Sequence, residues 1–394
     1  MKIIDIIAHA YNTVPFYYNR LNGSEIPVSL DGIPILHKFE LNDDVNSLIS
    51  SSFIKKYLKN ELLWERTSGS TGIASEVYWD YRDYKRSLLC LWIYRRKYYN
   101  ITPKDKLIYF ISSDIFYNEY IEFNYRKGIS KKYIIENRMD EAYLMVLEYN
   151  PVWMILQPSV ALLLCKEAEK HSKTPSNLRY IELTGEYLTD EVRNIIIRTF
   201  DCYIANQYGT KEVNSIAYEC PYGNMHIMDD NVYVESLNLD EEEGHIVVTS
   251  KHNRAMPVLR LDTGDIGVIE KNIDCRCGLK NNVLRLRQGR DNDGIMMIDN
   301  TKKNPYIIFQ ILNNINYITD GTIIQYQIVQ KSIFEFTIYL VTSNEFDDYY
   351  IKIIHDEFKQ RLGYDIKLNV IKKDNIFPAR KTGKVASFYS DIIR

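Results

Sequence analysis

The stretch WERTSGSTGIASEVYWD, residues 64–80, decides how the chain is read. Thr67, Ser68, Gly69, Ser70, Thr71 and Gly72 form an unbroken run of small or hydroxylated residues between an acidic-apolar segment and an alternating one. Ser, Thr and Gly gather in solvated turns for backbone reasons alone. The same composition also makes a phosphate cradle, because glycine lets the backbone approach an anion while N–H groups and hydroxyls donate to it. A P-loop requires lysine after its second glycine, and Ile73 follows Gly72. A cradle here must therefore take its cation from elsewhere in the chain.

At 394 residues the chain has length for two or more domains and a large core. Its 45% hydrophobic and 26% charged residues are ordinary for a globular protein. A net charge of −3 offers no footprint for nucleic acid or an anionic membrane, and neither partner is expected. The N-terminal segment carries Asp5 early and no small-residue cleavage site, so no signal peptide is expected. The most apolar window, LMVLEYNPVWMILQPSVALLLC (144–165), holds Glu148, Asn150, Gln157 and two prolines, which reads as buried elements rather than a membrane span. Six cysteines without a signal argue for the reducing cytoplasm and against a disulfide framework. Cys90, Cys165 and Cys202 stand alone and read as core residues.

Hydrophobic periodicity predicts helices over 4–21, 83–99, 139–150, 160–171 and 190–200. Strands are expected in SEVYW, KLIYFI, VWMIL, LRYIELTG and DCYIANQYG. Such alternation implies a parallel sheet covered by helices, with ligands at the loops leaving strand carboxyl ends. LTGEYL (183–188) and NQYGTKE (206–212) are two such loops. From 229 to 287 the short strands VYVESL, HIVVTS, MPVLRL and IGVIE mark a β-rich subdomain. After Gln288-Gly289-Arg290, the segments IIQYQIVQ, IFEFTIYLV, DYYIKIIHDEFKQRLG and IKLNVI indicate a separate α+β domain. The expected class is α/β: a large N-terminal domain (1–290) with layered sheets and the β-rich subdomain, and a small C-terminal domain (291–394).

Each loop alone reads as a turn; their order is specific. TSGSTG (67–72) is followed by TGE (184–186), QYGTKE (207–212), RLDTGD (260–265), GRDND (289–293) and Gly383-Lys384. That succession resembles the adenylate-forming superfamily, which activates carboxylic acids with ATP. AYNTVPFYYNRL, IPILHKFEL, NPVWMILQPS, YECPYGNMH and IDCRCG further resemble the phenylacetate–CoA ligase family and its capsule-biosynthesis relatives, and IIQYQIVQ is similar to the capsule-type branch. The resemblance spans essentially the whole chain and implies an acyl-CoA-synthetase-like fold.

The chemistry agrees with the resemblance. Joining a carboxylate to the α-phosphate of ATP brings two anions together, so the site must neutralise repulsion at a crowded phosphorus. The resemblance implies that residues 67–72 cradle pyrophosphate, that Gly185, Glu186, Gly209 and Thr210 belong to nucleotide-binding loops, and that Tyr208 stacks on adenine. It implies that Asp265 and Arg290 reach the ribose, that Glu212 holds Mg2+, and that Lys384 bridges carboxylate and phosphate. Lys384 thus supplies the cation missing from the first loop. The acyl group is expected to pass to a thiol, coenzyme A or a carrier protein, after the small domain swings about 291–293; relatives that use an amine acceptor leave an amide synthetase as the alternative.

Two residues depart from the pattern. Lys211 stands where the family has Thr or Ser, so it either touches phosphate as a point charge or turns outward. Asn292 stands where an aspartate hinge is usual, and Asn tolerates unusual backbone angles. A degenerate, non-catalytic nucleotide-binding protein is the less favoured alternative that these departures leave open. Finally, Cys220, His226, Cys275 and Cys277 supply a closed donor set suited to structural zinc, or else four unliganded side chains. Some relatives in the family carry a Cys/His zinc site in this subdomain.

Overall fold

Val192, Ile196 and Phe200 recur every four residues, and this buried stripe makes Asp190–Phe200 a helix. Thr189 caps it, its hydroxyl accepting the Val192 N–H at 3.3 Å, and Asp190 and Glu191 complement the dipole in its first turn. Pro158 opens the helix Pro158–His171 in the same way that proline suits a first helical position. The computed structural model describes residues 2–23, 25–66, 75–111, 119–238, 243–290, 294–319, 321–343, 345–379 and 384–392, the side chains of 238 and 288–290 excepted.

These residues form two units. One comprises Pro103–Ile204 and Arg287–Arg394. Within it, five strands lie in the order Tyr120–Phe123, Arg126–Ser130, Leu107–Ile111, Trp153–Leu156, Tyr180–Thr184. The last four run parallel, and Tyr120–Phe123 is antiparallel at the edge. Ile108, Ile129, Met154 and Ile181 are fully buried against helical residues such as Val146, Val160, Leu164 and Ile196, as a covered parallel sheet requires. The segment after residue 294 builds its own core, with Ile308, Leu312, Ile328, Ile338 and Phe358 fully buried. Its sheet runs in the order Lys367–Lys372, Glu335–Thr342, Ile323–Ser332, Phe388–Ser390, beside helices Tyr306–Ile318 and Tyr349–Leu362.

The other unit comprises Met1–Thr102 and Ala205–Leu286. Its strands Val232–Asn238, Gly244–Ser250 and Leu261–Glu270 pair antiparallel in that order. Asn214–Glu219 pairs antiparallel with both Met225–Ile227 and Tyr203–Thr210. Leu63–Arg66 and Glu76–Trp79, which flank the Ser/Gly run in sequence, also pair antiparallel.

Three expectations are corrected. The helix expected over 4–21 breaks at Val14, whose extended backbone (φ −116°, ψ 111°) is what a residue before proline prefers. The helix expected over 83–99 is divided at Leu88 into Tyr81–Ser87 and Leu89–Tyr99. MPVLRL is not a strand before Leu261: the Tyr17 hydroxyl bonds Pro257 and Leu259 backbone groups at 3.0 Å, and Arg260 adopts φ 49°. No helix among the described residues is long and apolar enough to cross a membrane.

Candidate active site

The parallel strands of the first unit end on one rim, at Ile111, Ser130, Leu156 and Thr184. Gly185 follows Thr184 with φ +84°, a backbone that suits glycine, and turns Glu186 back over the rim. Glu186 accepts from the Ser159 N–H at 3.0 Å and the Ser159 hydroxyl at 2.9 Å. Its Oε1 also accepts the Val385 N–H at 2.8 Å. Lys384 is thereby set beside Gly185: a Cβ placed on that glycine would lie 3.7 Å from Lys384 Nζ. Burial raises the Glu186 carboxyl above the usual range, and the Val385 and Ser159 donors oppose that rise.

Lys131 leaves the same rim from Ser130, its N–H donating to Ile111 O at 2.8 Å. It is buried, and burial lowers its ammonium to about 8; Glu186 opposes the shift and Lys384 adds to it. Neither Lys131 nor Ser159 was expected from the sequence. Ser159 sits at the start of a helix behind proline, where a hydroxyl reads as a capping residue. Lys131 stands in the basic run RKGISKKY, which reads as a solvated face.

In the second unit, the hairpin of Tyr203–Thr210 and Asn214–Glu219 carries the Tyr-Gly motif. A Cβ on Gly209 would lie 2.4 Å from Asn214 O, so only glycine fits where the two strands close. Tyr208 donates its hydroxyl to Asp265 Oδ2 at 2.8 Å, joining the Tyr-Gly motif to Thr263-Gly264-Asp265, which lies inside the strand Leu261–Glu270 rather than in a turn. Asp265 is held in turn by its own N–H, which donates to the Thr263 hydroxyl at 3.1 Å. Lys211 and Glu212 occupy the hairpin turn with different fates. The Lys211 ammonium pairs with Glu65 and is exposed. Glu212 is only 2% exposed, and its carboxylate has no ion-pair partner among the described residues. Thr210 Oγ1 is buried without a hydrogen-bond partner among those residues. A buried oxygen donor in this state fits a hard cation such as Mg2+.

Cys220, His226, Cys275 and Cys277 come together with one donor atom each, all within 4.8 Å of one another. Cys220 Sγ and Cys275 Sγ are 3.7 Å apart, and Cys277 Sγ is 3.2 Å from His226 Nε2. Ligands about 2.3 Å from a tetrahedral zinc would place sulfurs roughly 3.8 Å apart, so the donors fit that ion. His226 Nδ1 contacts Asn281 O at 3.2 Å, which turns Nε2 toward the sulfurs. Two glycine-ended turns present the thiols, Gly223 N–H donating to Cys220 O and Gly278 N–H to Cys275 O, both at 2.9 Å. Burial pushes Cys220 up to about 12. Burial opposes ionisation of Cys275 too, yet the Cys277 N–H and the Asn224, His226 and Cys277 side chains bring it down to about 6.

Residues Thr67, Ser68, Gly69, Ser70, Thr71 and Gly72, the hinge position Asn292 and the side chain of Arg290 lie outside the described residues.

Comparison with known proteins follows the same lines. Residues 300–391 match the CapK C-terminal domain. Protein CapK of Staphylococcus aureus is 25% identical over 375 residues, covering 88% of this chain and 77% of that protein. The structure of 2-hydroxyisobutyryl-CoA ligase in the postadenylation state with R3-HIB-AMP superposes with a TM-score of 0.73 at 15% identity, covering 98% of this chain and 87% of that one. The anthranilate CoA ligase AuaEII with anthranoyl-AMP gives a TM-score of 0.55 at 12% identity, over 82% of this chain and 65% of that one. Residues 300–391 thus match a C-terminal domain of the CapK type, the chain is similar to protein CapK over most of its length, and its fold is acyl-CoA-synthetase-like.

Proposed function

We propose that this protein activates a carboxylic acid with ATP and Mg2+ to acyl-AMP and pyrophosphate, then passes the acyl group to a thiol of coenzyme A or a carrier protein in the cytoplasm. The observation that carries this reading is the hydrogen bond from Val385 to Glu186, which seats Lys384 beside the Thr-Gly-Glu loop. In the first step a carboxylate oxygen attacks the α-phosphorus and the bond to the leaving pyrophosphate breaks. Lys384 offsets the negative charge as the two anions meet, a contact worth most in the transition state. Asp265, oriented by Tyr208, accepts from the ribose hydroxyls. Glu212 would hold Mg2+, which supplies charge neutralisation on the phosphate oxygens. In the second step the thiol sulfur attacks the acyl carbon, its proton passes to solvent, and AMP leaves with the bonding electron pair.

The two 2-hydroxyisobutyryl- and anthranilate-type neighbours, named as CoA ligases bound to acyl-adenylates, support the reading. Its test is ATP–pyrophosphate exchange over a panel of aryl, alkyl and hydroxy acids. The reading requires Mg2+-dependent exchange with at least one acid, and acyl transfer to coenzyme A or a carrier thiol faster than to amino acids. Tight ATP binding without exchange for any acid would make this a nucleotide-binding protein instead, and preferred transfer to an amine would make it an amide synthetase.

A further inference from the structure

The helix Pro158–His171 carries Ser159, Leu162, Leu163 and Lys166 at the spacing i, i+3, i+4, i+7, which places them on one face. All four line a cavity of about 650 Å³ whose facing wall, with Gln325 and Ile376, belongs to the C-terminal domain. At one end of this face Ser159 holds Glu186, and Glu186 accepts the Val385 N–H. About two helical turns on, the Lys166 ammonium donates to Asp374 O and to Asn375 Oδ1, the latter at 2.5 Å. The next residue is held as well, the Ile376 N–H donating to Gln325 Oε1 at 3.4 Å. Just beyond it the Ala379 N–H donates to Lys384 O at 3.0 Å, which sets residue 384 beside residue 379. Lys166 thus grips the stem of the segment that presents Lys384.

We propose that Lys166 is a positioning residue for acyl-AMP formation, the clamp by which this helix holds residues 374–375 so that Lys384 stays at the Glu186 loop. The inference rests on the acid-activating reading above and assigns a residue that neither the motifs nor the comparisons single out. Two further contacts seat the C-terminal domain on the same unit. Ile324 packs against the core of the parallel sheet. Gly321, at φ +83°, comes so near Glu191 that an added Cβ would lie 3.1 Å from its Cγ. Between these contacts and the Glu186 loop lies the cavity rather than a packed face, so separate fastenings decide where residues 374–385 rest. An ammonium has three donors and no acceptor, and a backbone carbonyl with an amide oxygen is a fitting pair of partners for it. Lys166 is exposed, so its bonds are worth less than buried ones. The C-terminal domain keeps its own core, with Ile308, Leu312 and Phe358 fully buried, and does not need the clamp to fold. Loss of the clamp therefore loosens the seat of Lys384 and lowers the share of bound complexes that are aligned to react.

Two measurements test this. In ATP–pyrophosphate exchange, Lys166→Met should lower kcat by about 3- to 30-fold while the KM values for acid and ATP move little. Lys166→Arg keeps the charge and the donors and should recover most of the loss. Acyl transfer from supplied acyl-AMP to coenzyme A should stay near the wild-type rate. A wild-type kcat in Lys166→Met, a rise in KM alone, an equal fall in both half-reactions, or no recovery with arginine overturns the proposal. Separately, hydrogen–deuterium exchange reads the Ala379 and Val385 amides, both hydrogen-bonded in the clamped arrangement. In Lys166→Met both should take up deuterium several-fold faster, while the strand Glu335–Thr342 keeps its wild-type protection. Unchanged uptake at Ala379 and Val385, or faster uptake throughout the C-terminal domain, contradicts it. If wild-type protein exchanges pyrophosphate with no acid, the activation reading falls, and the amide measurement still decides the clamp.

Discussion

The N–H of Val385 donates to Glu186 Oε1 at 2.8 Å across 199 residues of sequence. This bond ties the C-terminal segment at Lys384-Val385 to a loop on the rim of the parallel sheet. Glu186→Gln replaces an acceptor-only group with one that carries its own donors, so one of the Ser159 or Val385 bonds must be lost. We expect acyl-AMP formation to fall by about 10- to 100-fold, since a charge-assisted hydrogen bond is worth about 1.5–3 kcal/mol. Exchange at the wild-type rate in this variant would show that the tie does not matter.

The Cys/His cluster predicts close to one zinc per chain in gently purified protein, by elemental analysis. Cys277→Ser should lose the metal and lower Tm, because structural zinc contributes folding free energy. Protein that is fully folded without zinc, and equally stable with a chelator, would leave four reduced side chains as the correct description.

Lys211 is held by Glu65 and is exposed, so its ammonium is engaged on the protein itself. Lys211→Ala should therefore change pyrophosphate exchange by less than about tenfold, the range expected when only a surface ion pair is lost. A loss of three orders of magnitude would mean that Lys211 moves onto phosphate when ATP binds. Glu212→Gln is the contrasting variant: it should raise the Mg2+ requirement for exchange.

Burial holds Lys131 at about 8 in the folded chain, below the ordinary lysine value of 10.5. Between these values the unfolded chain binds the extra proton, so this group makes stability rise with pH. Below about 8 both states are protonated and the full burial cost is felt. Denaturant unfolding should show wild type gaining about 1–2 kcal/mol on Lys131→Met between about pH 7.5 and about pH 9.5. A difference independent of pH would place Lys131 in solvent.

The fold was legible where short, strongly marked elements alternate. Asp190–Phe200 carries its cap and its stripe in sequence, and Gly185 marks a loop at a strand end, whereas Gly209 and Gly264 lie inside the strands Tyr203–Thr210 and Leu261–Glu270. What escaped was decided by contacts distant in the chain. The helix Tyr306–Ile318 is rich in β-branched isoleucine and asparagine, which weakens its local signal. Packing of Ile308, Leu312 and Ile315 into the C-terminal core overrides that composition. MPVLRL has strand composition, yet Tyr17, about 240 residues away, takes up its backbone groups. Lys131 gives no local sign of its place, because only the pairing of Arg126–Ser130 with Leu107–Ile111 brings it to the rim.

The central claim is that Lys384 serves adenylation and not acyl transfer, and Lys384→Ala assayed in the two half-reactions tests it most directly. Removing a preorganised group that meets charge in the transition state typically costs on the order of 10²–10³ in rate. The account predicts that loss in ATP–pyrophosphate exchange, together with acyl transfer from supplied acyl-AMP to coenzyme A within a few-fold of wild type. A folded variant that exchanges pyrophosphate normally, or one that is equally inactive in both half-reactions, would contradict it.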